Sequence, residues 1–177
     1  EVNVGGVYNV YNALTAVATA YELGLSYEEI KRGLSKQKNI FGRQENFRLH
    51  DKNVVINLVK NPTGLNQVID LTLLEKEPIS LICLLNDNYA DGLDVSWIYD
   101  SYYEKLGKLD IKDIYVSGQR SVDMKRRLEI AGLIDGDIKE FDYENEISDI
   151  IKNVGSDNVY IFSTYTAMLK LREVLGL

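Results

Sequence analysis

The chain is poor in the residues that build metal centres and nucleophilic sites. Its 177 residues include one cysteine, Cys83, and one histidine, His50. A structural zinc site needs four ligands, so the chain cannot form a Cys/His metal cluster, and we expect no metal site. A Ser-His-Asp or Cys-His site built entirely within the chain is also disfavoured. Cys83 has no cysteine with which to pair, and its apolar surroundings, ISLICLL, predict a buried hydrophobic residue.

Positive charge and long apolar runs are scarce as well. The formal net charge is −7, which argues against nucleic-acid and anionic-membrane partners, because both need Lys and Arg to neutralise phosphates. No apolar run approaches the roughly 20 residues that a membrane span needs. The first ten residues, EVNVGGVYNV, have neither the basic start nor the apolar core of a secretory signal. We therefore expect no nucleic-acid partner, no membrane span and a cytoplasmic protein.

The N-terminal part of the chain predicts two helices. Apolar residues recur at helical spacing from Val7 until Gly24 ends the pattern. Ser26 then precedes Glu29 by three residues, which is the capping-box arrangement that opens a second, short helix. From Lys36 to Arg43 the sequence turns polar, and this stretch is the best candidate for a linker or domain boundary.

Beyond the linker, short apolar runs alternate with amphipathic segments. The runs VVINLV, ISLICLL, DIYVSG, IKEFD and NVYIFST predict strands. Helices are predicted over residues 64–75, 95–106, 122–130, 146–154 and 165–174. This alternation indicates a doubly wound, mostly parallel α/β sheet with helices on both faces. In such sheets ligands bind at the loops that leave the carboxyl ends of strands.

The most unusual of these loops is LLNDNYADGLDVSWIYD, which follows a continuously apolar strand. Asp87, Asp91 and Asp94 place three carboxylates within eight residues, where they repel one another unless a cation, a base or backbone N–H groups offset the charge. Purely structural roles are available too. Asp94 stands where a helix N-cap would, and Asp91-Gly92 is an ordinary turn pair. The local pattern leaves both interpretations open.

Another strand-end loop is VKNPTGLN. Thr63 is predicted to cap the following helix, and Pro62 fixes the turn. Lys60 and Asn61 present a cation and a polar group that would suit a nucleotide or phosphate, although these residues are common in loops of any kind.

Polar residues also interrupt the first helix and the linker. In GVYNVYNALTA, Asn9 and Asn12 lie three apart, and so nearly on one side of a helix otherwise made of apolar residues. In FGRQE, Arg43 follows a glycine at the expected domain boundary, from which a guanidinium could reach phosphate across a cleft. The alternative is a solvated arginine.

Taken in order, the motifs GxYNxYNALTA, FGRQE, KNPTG and NDNYADGLDVSW resemble the MurT family of the Mur ligase superfamily, over essentially the whole chain. The resemblance implies that residues 1–40 are the helical end of a central Mur ligase domain with its linker, and that residues 41–177 are the Rossmann-like C-terminal domain. FGRQE is similar to the GRxE of the family's hinge, and Tyr8 stands where most Mur ligases have histidine.

The resemblance implies a nucleotide site. Asn9, Asn12, Arg43 and Asn61 would line the face that closes over ATP, with ATP and magnesium held by the full-length subunit. The glycine-rich GKT phosphate loop of Mur ligases and the zinc-binding cysteines of the family's central domain do not occur in these residues. We therefore expect this chain alone to hold no cofactor and to be inactive.

The resemblance also implies a partner and a reaction. In the family, a GatD-type glutaminase releases ammonia, and the ligase subunit uses ATP to amidate the D-glutamate α-carboxylate of lipid II to D-isoglutamine. The glutaminase supplies Cys and His, and Asp94 would complete that site from across the interface, with Asp91 and Gly92 supporting its loop. Such a complex would act in the cytoplasm near the inner face of the membrane.

Two rival interpretations remain at this point. A non-catalytic doubly wound module could bind nucleotide, or magnesium through Asp87, Asp91 and Asp94, but this does not explain the order of the other motifs. A Mur ligase that adds an amino acid rather than ammonia is the other rival, and the DGLDVSW sequence argues against it.

Overall fold

In the computed structural model, which describes residues 7–36, 42–133 and 137–177, the chain begins with two helices. Helix α1 spans Val7–Glu22 and helix α2 spans Tyr27–Ser35. The predicted capping box is present: the Ser26 hydroxyl accepts from the Glu29 amide at 3.4 Å, and the Ser26 amide donates to the Glu29 carboxylate at 2.9 Å. The predicted linker falls largely on residues 37–41, which lie outside the described residues.

A six-stranded sheet follows, in the order β1-β2-β6-β3-β4-β5. Strand β1 pairs antiparallel with β2, and the other neighbours pair in parallel. The strands are β1 Glu45–Leu49, β2 Lys52–Leu58, β3 Ile79–Leu84, β4 Ile111–Ser117, β5 Ile138–Glu140 and β6 Asn158–Ser163. The helices that join them are α3 Pro62–Thr72, α4 Ser121–Ile130, α5 Tyr143–Asn153 and α6 Tyr165–Leu175. The predicted doubly wound α/β fold is confirmed.

The two faces of the sheet bury separate apolar cores. Residues of α3 and α4 pack on one face, and residues of α5 and α6 pack on the other. Every residue of β3 is buried, which explains why this strand is continuously apolar rather than alternating. Cys83 lies within it with no exposed surface, and burial raises the pKa of its thiol. Its prediction as a buried hydrophobic residue is confirmed.

Strand β1 was not predicted from the sequence. Its residues, ENFRL, are mostly polar because the strand lies at the sheet edge and only alternate positions are partly buried. It joins β2 through His50 and Asp51, whose φ angles are 48° and 62°. Two consecutive left-handed residues are what a tight hairpin turn requires.

The helix predicted over residues 95–106 is wrong. The structure has two short 3₁₀ helices there, Ser96–Asp100 and Tyr103–Lys108. The buried guanidinium of Arg127 explains the break, because its Nε donates to the Ile98 carbonyl at 2.9 Å and its terminal nitrogen donates to the Ser101 carbonyl at 2.5 Å. Those carbonyls therefore point at α4 instead of continuing one α-helix.

Helix α1 forms as predicted, but its apolar side chains are not core residues here. Val10, Tyr11, Leu14 and Tyr21 are each more than half exposed. Within the described residues, no helix is long and apolar enough to cross a bilayer.

We predict that the core around β6 dominates stability. Ile161 has no exposed surface, so Ile161→Ala should lower the free energy of unfolding by about 2–5 kcal/mol through lost burial and a residual cavity. Urea denaturation monitored by circular dichroism measures this. Ile130→Ala is the matched control, because that side chain is 55% exposed and should cost far less. Equal losses in the two variants would contradict the assignment of the core.

Candidate functional site

Polar loops gather at the carboxyl edge of the parallel strands. Strand β6 lies between β2 and β3, and the helix after β6 packs on the opposite face from the helices that follow the other two strands. Adjacent strands whose connections leave to opposite faces open a crevice at their carboxyl ends. Residues 86–95, here called the acidic loop, follow β3 at this crevice.

The three aspartates of the acidic loop do not form a shared site. Asp87 pairs with Arg120 at 2.9 Å, and Arg120 also pairs with Asp123 at 2.6 Å. The two carboxylates hold the pKa of the Arg120 guanidinium above its ordinary value. The negative charge of Asp87 is therefore offset by an arginine that the sequence did not single out.

Asp91 is buried, at 3% exposure, and is held by N–H and O–H donors. The Thr166 amide donates to it at 2.8 Å, the Thr166 hydroxyl at 2.5 Å and the Asn88 amide at 3.2 Å. The predicted turn is also present, because the amides of Asp91 and Gly92 both donate to the Asn88 carbonyl. Gly92 has a φ of 94°, which favours glycine.

Asp94 is exposed, and the acidic loop also carries two large exposed side chains. Tyr89 is 92% exposed and Leu93 is 68% exposed. Asp94 accepts a hydrogen bond from the Ser96 amide at 2.8 Å, and this bond, aided by the Ser96 side chain, holds the pKa of Asp94 below its ordinary value. The carboxylate is therefore ionised at neutral pH.

The prediction that Asp94 caps an α-helix needs correction. The helix that follows is a five-residue 3₁₀ helix, and the residue at its cap position is Val95. Asp94 instead bonds two residues ahead, which is a local turn typical of aspartate. The turn fixes the carboxylate at the surface without using a helix N-terminus.

These partners weaken the magnesium interpretation. Asp87 is paired with Arg120 and Asp91 accepts from the Thr166 and Asn88 amides and the Thr166 hydroxyl, so the charge of both is already offset within the chain. Among the described residues, no group of three or more His, Cys, Asp or Glu side chains could hold a metal ion.

The turn after β4 supports the acidic loop from one side. The Gln119 amide donates to the Asn86 side chain at 3.0 Å, and its side-chain nitrogen donates to Asn88 at 3.2 Å. The preceding residue, Gly118, has a φ of 97°, and a Cβ there would lie 2.5 Å from the Leu85 carbonyl oxygen. Only glycine fits this approach. A cavity of about 560 Å³, lined in part by Asn86, Asn88 and Gln119, opens beside the loop.

A different cavity, of about 540 Å³, contains two of the predicted nucleotide-binding residues. Arg43 and Asn61 line it together with Lys60. Asn9 and Asn12 lie on α1 and do not line it in the described part of the chain. The structure thus brings together Arg43 and Asn61 but does not join the asparagines of α1 to them.

The backbone before Arg43 is anchored to the sheet. Gly42, with a φ of 67°, accepts a hydrogen bond from the Leu58 amide at 2.6 Å. The Glu45 carboxylate accepts from the Gly42 amide at 3.1 Å and pairs with Arg172 of α6. These bonds fix the segment from which Arg43 reaches the cavity.

The predicted cap at Thr63 is wrong. Asn61 caps α3, with its side-chain oxygen accepting from the Gly64 amide at 2.8 Å, because Pro62 occupies the first helical position. The Asn61 oxygen is used by the helix, and its side-chain NH₂ remains the group that could donate to a ligand.

Thr166, Gln119, Arg120 and Arg127 were not singled out by the sequence analysis. Thr166 and Gln119 each follow a predicted strand closely, and this was the available signal for both. Arg120 and Arg127 lie next to and within a helix whose sequence pattern is simply amphipathic. Nothing in that pattern indicated their contacts with the acidic loop and the 3₁₀ helices.

Residues 58–168 match the sequence family described as MurT ligase C-terminal. The chain is 43% identical over 175 residues to the protein from Streptococcus pneumoniae named lipid II isoglutaminyl synthase (glutamine-hydrolyzing) subunit MurT, a match covering 99% of this chain and 39% of that protein. The Staphylococcus aureus protein of the same name is 42% identical over 132 residues, covering 74% of this chain and 30% of that protein. The matched part of the chain therefore spans 39% and 30% of the lengths of these two relatives.

Solved structures share the fold. UDP-N-acetylmuramate-alanine ligase MurC from Thermotoga maritima superposes with a TM-score of 0.69 at 15% identity, over 99% of this chain and 38% of that one. MurF from Acinetobacter baumannii gives a TM-score of 0.69 at 23% identity with the same coverage. At these identities the likeness shows the fold alone.

We predict that the side-chain oxygen of Asn61 stabilises α3 as its cap. Asn61→Ala removes the cap oxygen and should lower the free energy of unfolding by about 0.5–2 kcal/mol. Asn61→Asp keeps an oxygen at that position and should leave stability nearly unchanged while removing the NH₂ donor. Urea denaturation of both variants measures this. An alanine variant as stable as the wild type would show that the cap does not stabilise α3, and an aspartate variant as unstable as the alanine variant would show that the side-chain oxygen is not the stabilising group.

Proposed function

The chain belongs to the MurT ligase C-terminal family, and on that premise we propose that it is the C-terminal part of an ATP-dependent, glutamine-hydrolysing ligase subunit. The full-length subunit amidates the D-glutamate α-carboxylate of lipid II to D-isoglutamine in peptidoglycan synthesis. It works with a GatD-type glutaminase that supplies ammonia. It does so in the cytoplasm near the inner face of the membrane.

The ligase step needs a nucleotide held against the rest of the subunit. Arg43 and Lys60 supply cations, and Asn61 supplies an amide donor, at the 540 Å³ cavity. Such groups suit the polyphosphate and polar edges of ATP. The substrate carboxylate would take the terminal phosphoryl group of ATP, with ADP as the leaving group. Ammonia would then attack the acyl phosphate, forming the amide and releasing inorganic phosphate and a proton.

Asn9 and Asn12 would join this site from α1 when the domains close over ATP and its magnesium. The apolar face of α1 is exposed, and the relatives have further residues that this chain does not include. Both observations support packing of another part of the full-length subunit against α1. We expect the chain alone to be inactive, because it lacks the GKT phosphate loop of the superfamily.

The observation that supports a role for Asp94 in the glutaminase site is its exposed, ionised carboxylate. Asp87 and Asp91 are engaged within the chain, whereas Asp94 is exposed, in the same loop as the exposed side chains of Tyr89 and Leu93. A carboxylate held in this way can accept the N–H of an imidazole and fix its tautomer, as the third member of a Cys-His-Asp site must. The histidine belongs to the glutaminase, so the catalytic residue of this chain is Asp94, supported by Asp91 and Gly92.

We predict that Asp94→Asn in the reconstituted full-length complex lowers the rate of glutamine hydrolysis by about 10²-fold or more, because the amide no longer fixes the imidazole as its acceptor. Glutamate release measures the rate, and size-exclusion chromatography should show that assembly is preserved.

Asp100→Asn is the matched control, since it removes another exposed carboxylate from the same segment. Its rate should stay close to that of the wild type. A rate of glutamine hydrolysis that is unchanged in Asp94→Asn would show that Asp94 has only a structural role in its turn.

We also predict that Arg43→Gln in the full-length subunit weakens ATP binding by about 10-fold or more, the range expected for one charge-assisted hydrogen bond. Isothermal titration calorimetry measures the affinity. Arg48→Gln is the control, because Arg48 is another exposed arginine, and its terminal nitrogen bonds locally, to the Asp51 carbonyl at 3.1 Å. Unchanged affinity in the Arg43 variant would remove Arg43 from the nucleotide site.

A further inference from the structure

We propose that Thr166, at the start of α6, is a positioning residue for the glutaminase reaction: through buried Asp91 it fixes the acidic loop, and so places Asp94 against the partner's imidazole. The proposal rests on the proposed function, because it gives Asp94 the role described above. Thr166 itself touches no substrate in this account and acts only through the loop.

The Thr166 hydroxyl uses its full hydrogen-bonding capacity on the acidic loop. It donates to Asp91 at 2.5 Å and accepts from the side-chain nitrogens of Asn86 at 3.0 Å and Asn88 at 2.8 Å. A threonine hydroxyl has one donor and two acceptor sites, and all three point at one loop. The Thr166 amide adds a bond to the other oxygen of Asp91 at 2.8 Å.

Asp91 is in turn hydrogen-bonded to the backbone of the acidic loop. Its carboxylate accepts from the Asn88 amide at 3.2 Å, while its own amide donates to the Asn88 carbonyl at 2.8 Å. The Gly92 amide donates to the same carbonyl at 3.1 Å. The turn over residues 88–92 therefore closes around the Asp91 side chain, which Thr166 holds. The turn ends two residues before Asp94.

The other end of the segment is anchored separately. Arg127, at 2% exposure, donates to the carbonyls of Ile98 and Ser101 just beyond Asp94. Asp94 thus lies between two anchors, with Thr166 on its N-terminal side and Arg127 on its C-terminal side. Loss of the Thr166 hydroxyl removes three bonds from the N-terminal end and leaves it held by the Thr166 amide and by Gln119, while the local bond from the Ser96 amide still holds the ionised carboxylate.

Because Thr166 affects the position of Asp94 and not the binding of glutamine, we expect its loss to lower kcat and to leave KM for glutamine nearly unchanged. Displacement of the loop moves Asp94 away from the imidazole, and a misplacement of about 1 Å is enough to cost up to about 10²-fold in rate. Glutamine itself binds to the glutaminase, so its KM should change little. A loss of stability alone would lower the amount of folded complex instead of the rate constant per assembled site.

The test uses Thr166→Val and Thr166→Ser in the full-length complex, with rates normalised to assembled complex. Thr166→Val should lower kcat for glutamine hydrolysis by about 10-fold or more at nearly constant KM. Thr166→Ser keeps the hydroxyl and should restore the rate to within about threefold of wild type.

Thr72→Val is the matched control. It makes the same substitution at a buried helical threonine whose hydroxyl bonds only to the Val68 carbonyl, at 2.9 Å. It should leave kcat unchanged. If Thr166→Val does not fold, Thr166→Ala replaces it with the same expectations.

Amide hydrogen exchange in the ligase subunit without its partner provides a readout that does not depend on glutaminase chemistry. Thr166→Val should speed exchange at Asp91 and Gly92, while Thr166→Ser and Thr72→Val should not. Unchanged exchange in the valine variant, or faster exchange with unchanged kcat, would overturn the proposal. Normal hydrolysis in Asp94→Asn would overturn the proposed function instead, and exchange would still decide whether Thr166 fixes the loop.

Discussion

The hydrogen bonding of one buried carboxylate, that of Asp91, is the constraint on which the shape of the acidic loop depends. A charge removed from water is costly unless donors replace the lost hydration. Here the donors are the amide and hydroxyl of Thr166 and the amide of Asn88. Because two of the three come from α6, the loop can satisfy Asp91 only when it is docked against that helix. Asp94, three residues further on, is left at the surface with a local bond of its own.

Helix α6 bonds to the acidic loop and to Glu45, which anchors the segment before Arg43. Thr166 in its first turn holds the acidic loop, and Arg172 near its end pairs with Glu45, which also accepts from the Gly42 amide before Arg43. The acidic loop is therefore bonded to α6 directly, and the segment before Arg43 is linked to it through Glu45. Helix α6 itself packs on the apolar core that it shares with α5.

The sequence was sufficient for those parts of the structure that depend on local pattern. The apolar runs predicted all five parallel strands, and Ser26 with Glu29 predicted the cap of α2, because periodicity and capping involve neighbouring residues. Contacts between distant residues were not predictable in this way. Thr166 bonds to Asp91 across 75 positions, and Arg127 breaks the expected helix over residues 95–106 from 26 and 29 positions away. Edge strand β1 escaped prediction because its residues are only half-buried.

The central claim is that Asp94 accepts a hydrogen bond from a histidine of the glutaminase. It is tested most directly by a crystal structure of the full-length subunit with its glutaminase. We expect a carboxylate oxygen of Asp94 to lie about 2.6–3.2 Å from a ring nitrogen of the glutaminase histidine that neighbours its cysteine. An Asp94 that faces solvent in the assembled complex, or a carboxylate of the glutaminase itself in that position, would contradict it.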